Sequence, residues 1–91
     1  ESNRLTFRKV RKIIMQILTE ENPADLPEFI LQSSSSVYST EANAIYRYSC
    51  NNVQEGISSE QVEQVIYDAS RDPLDANAVS RAAQRIVEAL G

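Results

Sequence analysis

The sequence predicts an all-α fold: a compact bundle of four to five antiparallel helices in a single domain. Three observations carry that expectation. Apolar residues recur at three- and four-residue spacing through most of the 91-residue chain, the period of one helical face. Only two glycines and three prolines are present, and they stand at or between the ends of those periodic stretches. Helix-capping signals open the later stretches. The composition agrees, since 42% apolar and 24% charged residues are ordinary for a globular chain and argue against a disordered tail. By area scaling a chain of this mass buries about 64% of its surface on folding. That supports a cooperative fold but leaves little room for a deep substrate cleft. Helices are expected to cover roughly two thirds of the residues, against the usual third.

The first helix is expected over Leu5–Glu21. Phe7, Val10, Ile13, Ile14, Ile17 and Leu18 cover an arc of about 140°, the stripe of a helix docked on a core. Arg4, Arg8, Arg11, Lys12 and Thr19 fall on the other side, and Met15 lies toward that polar face, partly exposed. Asn22-Pro23 stops the helix, because a residue before proline is pushed out of the α region. Asp25 and Glu28 have the spacing of a capping box, with Asp25 as N-cap of a short helix over Leu26–Gln32. Ser33–Ser36 reads as a small polar turn, and the same composition would suit a linker or a phosphorylation cluster.

A third helix is expected from Thr40 to Asn52, with Ala42, Ile45, Tyr46, Ser49 and Val53 on one side. The clearest local signal follows. Gly56 closes the preceding turn, Ser58 and Gln61 form a capping box, and Ile57 and Val62 occupy the positions of a hydrophobic staple. Val62, Val65, Ile66 and Ala69 then make the buried face, and Asp72-Pro73 ends that helix. Asp75 caps a last helix that points Ala78, Val79, Ala82, Ala83, Ile86, Val87 and Leu90 inward, with Gly91 at the C-cap. The expected core is Val10, Ile14, Ile17, Leu18, Phe29, Ile30, Ile45, Val62, Ile66, Ala69, Val79, Ala83, Ile86 and Leu90. Val10-x-x-Ile13-Ile14 and Val62-x-x-Val65-Ile66 look alike, but the segments diverge beyond those positions. The likeness is one of amphipathicity, not of an internal repeat.

Charge is unevenly spread. The net charge is −4, yet residues 1–12 hold five of the nine bases and only Glu1 as an acid. The rest of the chain carries twelve acids and four bases. Basic residues at the start of a helix oppose its dipole, as do Glu20 and Glu21 at its end, at a few tenths of a kcal/mol each. A surface helix with no other role avoids that arrangement. The basic patch therefore hints at an anionic partner.

A search for chemistry returns little. With no His, one Cys and no Trp, the chain excludes Cys/His zinc sites, disulfide frameworks, His-based triads and His-ligated haem. Two glycines cannot build a phosphate loop. Asn51–Val62 places Gly56 as a calcium loop requires, but Val53 and Val62 stand at ligand positions. Cys50 lacks a base, and Arg47 is its one charged neighbour at helical spacing. Glu60/Glu63 and Asp68/Asp72 lie at helical spacing and read as solvated faces. No cofactor and no metal is expected. No apolar run is long enough to cross a bilayer, and the start at Glu1 without a signal-peptide pattern predicts a domain cut from a longer protein. The lone Cys and the lack of an N-glycosylation sequon favour an intracellular setting.

The functional expectation is a non-enzymatic protein-interaction or assembly module, with another protein or a second copy as partner. Its contact surface would be a groove between helices or the aromatic–cationic cluster Tyr38, Tyr46, Arg47 and Tyr48, since such residues are favoured at interaction hot spots. The alternative is contact with nucleic acid or an anionic membrane through Arg4, Arg8, Lys9, Arg11 and Lys12.

Overall fold

A computed structural model describes residues 2–33, 37–52, 55–70 and 73–90, with the side chains of residues 2–7 and 33 outside that description. The serine turn at 34–36, the helix stop at Asp72, the C-cap at Gly91 and the side chains of Arg4, Phe7 and Val53 therefore lie outside the described residues. Five helices form: α1 (Ser2–Glu21), α2 (Glu28–Ser33), α3 (Ser39–Asn51), α4 (Ser59–Ala69) and α5 (Ala76–Leu90). No strand occurs among the described residues.

The four long helices make a ring. α1 packs on α3 and α5, and α4 packs on the same two, so α1 and α4 stand at opposite corners. Hydrogen bonds at the junctions set the directions. The Tyr38 hydroxyl donates to Asn22 Oδ1 at 2.6 Å, so α3 begins where α1 ends. The Asp75 N–H donates to the Pro23 carbonyl at 2.7 Å, so α5 begins there too. The Ser58 N–H donates to the Tyr48 hydroxyl at 3.1 Å, joining the start of α4 to the end of α3. Each helix thus runs antiparallel to both neighbours, and the diagonal pair α1 and α4 run the same way. The radius of gyration, 12.5 Å, is that of a close-packed chain of this length.

Ile14, Leu18, Ile45, Val62, Ile66, Val79 and Ile86 fill the centre with no exposed surface. Each such side chain contributes about 1.5–3 kcal/mol of transfer free energy. Ala42, Ala82 and Ala83 are equally buried and let neighbouring backbones approach closely. Val10 and Leu90 are half-buried and pack around that centre, while Ile30 and Ala69 are half-buried outside the cluster.

Caps behave as local chemistry dictates. Ser58 has extended backbone and its hydroxyl accepts from the Gln61 N–H at 3.2 Å. Asp75 Oδ2 accepts from the Ala78 N–H at 3.2 Å. Gly56 has φ +83°, and its N–H reaches the Asn52 carbonyl at 2.8 Å. A side chain there would meet open space, so the left-handed backbone alone asks for glycine.

Further expectations change. α1 starts at Ser2 instead of Leu5, which puts Arg8, Arg11 and Lys12 beyond its first turn. Asp25 is not an N-cap: it lies in a left-handed turn at φ +53°, and α2 starts at Glu28 with the Pro27 carbonyl accepting its first bonds. Phe29 is not in the core but 70% exposed, because α2 is six residues long and packs extensively on none of the four long helices. Tyr38 belongs to the core at 7% exposure, and α3 starts at Ser39 just after it instead of at Thr40.

Candidate functional site

The aromatic–cationic cluster does not gather into one patch. Tyr38 sits at the start of α3 and Tyr48 near its end, about 15 Å apart along the helix. The Tyr38 hydroxyl is occupied inside: it donates to Asn22 and accepts from the Ala24 N–H at 3.1 Å. The Tyr48 hydroxyl closes the α3–α4 turn. Tyr46 is half-buried beside Cys50 one turn on, and a hydrogen bond with the exposed thiol, then burial, holds its phenol above the ordinary value. Arg47 alone of the four is exposed. Tyr38 and Tyr48 thus turn their apolar bodies to the core with their hydroxyls engaged near the two ends of α3.

The basic residues do gather. Arg8, Arg11 and Lys12 line an open groove of about 910 Å³ whose floor is Met15 and Thr19 and whose far wall is Asn43 on α3. Helical geometry explains the set. Arg8, Lys12, Met15 and Thr19 recur at three- and four-residue spacing and so form one stripe, flanked by Gln16. Arg11 is rotated from that stripe toward α3. Its Nε donates to Asn43 Oδ1 at 2.7 Å, which fixes the guanidinium at the groove edge and uses one of its five donors. Lys9 is exposed but faces away from the groove. Arg4 lies on α1, with its side chain outside the described residues. Asn43 carries no sequence signal that separates it from any other polar residue of a helix.

The two charge anomalies of α1 have different fates. Glu21 accepts from Arg81 Nε at 2.9 Å and from Arg85 at 3.1 Å, and Glu20 accepts from Arg85 at 2.6 Å. Those arginines, Arg85 foremost for Glu20 and Arg81 for Glu21, hold both carboxyls below the ordinary value. The acidic end of α1 is thereby explained as a clamp onto α5. Among the described residues no carboxylate pairs with Arg8, Lys9, Arg11 or Lys12.

The groove's lining offers cations, the Met15 side chain, the Thr19 hydroxyl and the amides of Gln16 and Asn43. A smaller cleft of about 540 Å³ lies where Pro23–Leu26 meets Pro73–Asp75, lined mainly by proline and leucine. Among the described residues no three His, Cys, Asp or Glu side chains converge as a metal site would require. No described helix is long and apolar enough to cross a membrane. Compared with protein-family models, with curated proteins and with solved structures, the chain matches none.

Proposed function

We propose that this bundle is a non-enzymatic protein-interaction module whose contact surface is the basic groove along α1. The observation that carries the reading is a basic stripe, without an ion-pair partner among the described residues, beside the Met15 side chain. Among the described residues Arg8, Arg11 and Lys12 have no carboxylate partner, while the arginines of α5 are paired with Glu20 and Glu21. Like charges at three- and four-residue spacing on one helix repel each other, and a partner surface bearing carboxylates offsets that cost.

Two features favour an acidic protein surface over a polyanion. The floor, Met15 and Thr19, suits a side chain better than a sugar–phosphate backbone. The chain after residue 12 is strongly acidic and repels an extended polyanion.

The test is a titration of the isotopically labelled protein with an amphipathic helical peptide carrying glutamates and one tyrosine on a single face. Amide shifts should move along Arg8–Thr19 and at Asn43, and the Arg8→Glu/Lys12→Glu variant should lose them. Duplex DNA and acidic vesicles run in the same assay should leave those amides in place. A groove that ignores the peptide at millimolar concentration, or answers only to DNA or vesicles, would overturn the reading.

A further inference from the structure

The corner opposite α1 carries the complementary chemistry. α4 has no basic residue, and its outward face presents Glu60, Gln64, Tyr67 and Asp68, all exposed, with Glu63 at its flank. Tyr67 is 40% exposed, one of two large apolar side chains left in solvent among the described residues.

The two helices also share a sequence pattern. Val10, Ile13 and Ile14 of α1 and Val62, Val65 and Ile66 of α4 stand at one constant offset, and both sets face the core. The same offset sets Arg8 against Glu60, Arg11 against Glu63, and Met15 against Tyr67. In each helix the charged residue and the apolar one are separated by about 10 Å along the axis. Because α1 and α4 run the same way at opposite corners, a second copy displaced along that diagonal lays its α4 beside the first copy's α1 and parallel to it.

We infer that the groove along α1 receives the outward face of α4 from a second copy of this chain, Tyr67 entering over Met15 while Glu60 and Glu63 meet Arg8 and Arg11. This rests on the reading of the groove as a protein-binding surface and names its occupant. The two surfaces differ and lie on opposite sides, so the contact is head to tail. Such contacts build rows, where a two-fold contact would stop at a dimer. One helix face against another falls at the small end of interface sizes, so the association is weak and reversible.

The experiment is light scattering from the full chain up to millimolar concentration, in low salt and in 0.5 M salt. There the screening length is about 4 Å. The wild-type mass should climb past that of a dimer with concentration, and association should weaken about tenfold or more in high salt. Two variants separate the faces: Arg8→Glu/Lys12→Glu spoils the groove, and Glu60→Gln/Tyr67→Ala spoils α4 without setting a cation opposite the reversed groove. All four positions are exposed, and circular dichroism melting checks that each variant folds. Each variant alone should stay at the 10.2 kDa monomer mass. Their mixture should form a one-to-one dimer and nothing larger, because one intact groove and one intact α4 remain to be joined.

A mixture that stays monomeric overturns the inference, as does a closed wild-type dimer or association that either variant retains. The broader reading is judged separately by the peptide titration. A monomeric wild type whose groove still binds the acidic peptide sinks self-association and keeps the groove. A groove that binds neither sinks both.

Discussion

Asn22 shows how much one polar residue can organise. It occupies left-handed backbone at φ +49°, and its N–H caps α1 by reaching the Leu18 carbonyl at 2.8 Å. Its side chain accepts from the Leu26 N–H at 3.0 Å and donates to the Leu26 carbonyl at 2.9 Å, which shapes the Pro23–Leu26 turn. The Tyr38 hydroxyl then ties that turn to α3. Asparagine is among the few residues that tolerate this backbone and still offer an amide. Removing the Asn22 amide or the Tyr38 hydroxyl leaves partly buried groups unpaired, at about 1–3 kcal/mol each. In urea unfolding, Asn22→Gly keeps the backbone freedom and loses the bonds, so its deficit isolates the side chain. Tyr38→Phe should cost a similar amount, and the double variant should cost less than the sum by about 1 kcal/mol, the signature of a shared network. Strict additivity would mean that the two residues act independently.

Among the elements, the clamp between α1 and α5 is the contact most exposed to solution conditions. Glu21 is held below its ordinary pKa of 4.5 chiefly by Arg81 and then by Arg85, against the opposing effect of burial. A carboxyl depressed in the folded state stabilises it above the unfolded value, and that contribution fades as the pH falls through the folded value. Glu21→Gln should therefore lower the melting temperature at neutral pH. The gap to wild type should close as the pH drops below about 4.5, which thermal scans from pH 7 to 3 would show. A gap independent of pH would assign the loss to packing. Which parts of this arrangement the sequence discloses follows from range. The caps at Ser58 and Asp75 are legible because donor and acceptor lie three residues apart. The pairing of Glu21 with Arg81 is not, since only the closed ring brings the ends of α1 and α5 together. Phe29 misleads for a related reason: its neighbours are apolar, but a six-residue helix has too little length to dock. The basic half of the candidate site is readable as a charge run, whereas its Asn43 wall and Met15 floor become a groove only once α3 lies beside α1.

As a whole the molecule is a ring of four helices with charge of opposite sign at two opposite corners, and its other two corners hold it closed. α5 is one of these, touching both α1 and α4 through Ala78, Val79, Ala82, Ala83 and Ile86. Three of those five are alanines with essentially no exposed surface. A methyl group can be lost at such a site with modest loss, but an added one must displace a neighbouring helix, at about 1–3 kcal/mol. In a deep mutational scan read by folding, positions 78, 82 and 83 should accept glycine or serine better than valine or leucine, while Ile86 should show the reverse. Equal tolerance for large residues at the alanines would contradict so close an approach. Over evolutionary time α5 should then be the slowest-drifting wall of the bundle, while the outward stripes of α1 and α4 remain free to vary together, each charge reversal on one needing its counterpart on the other.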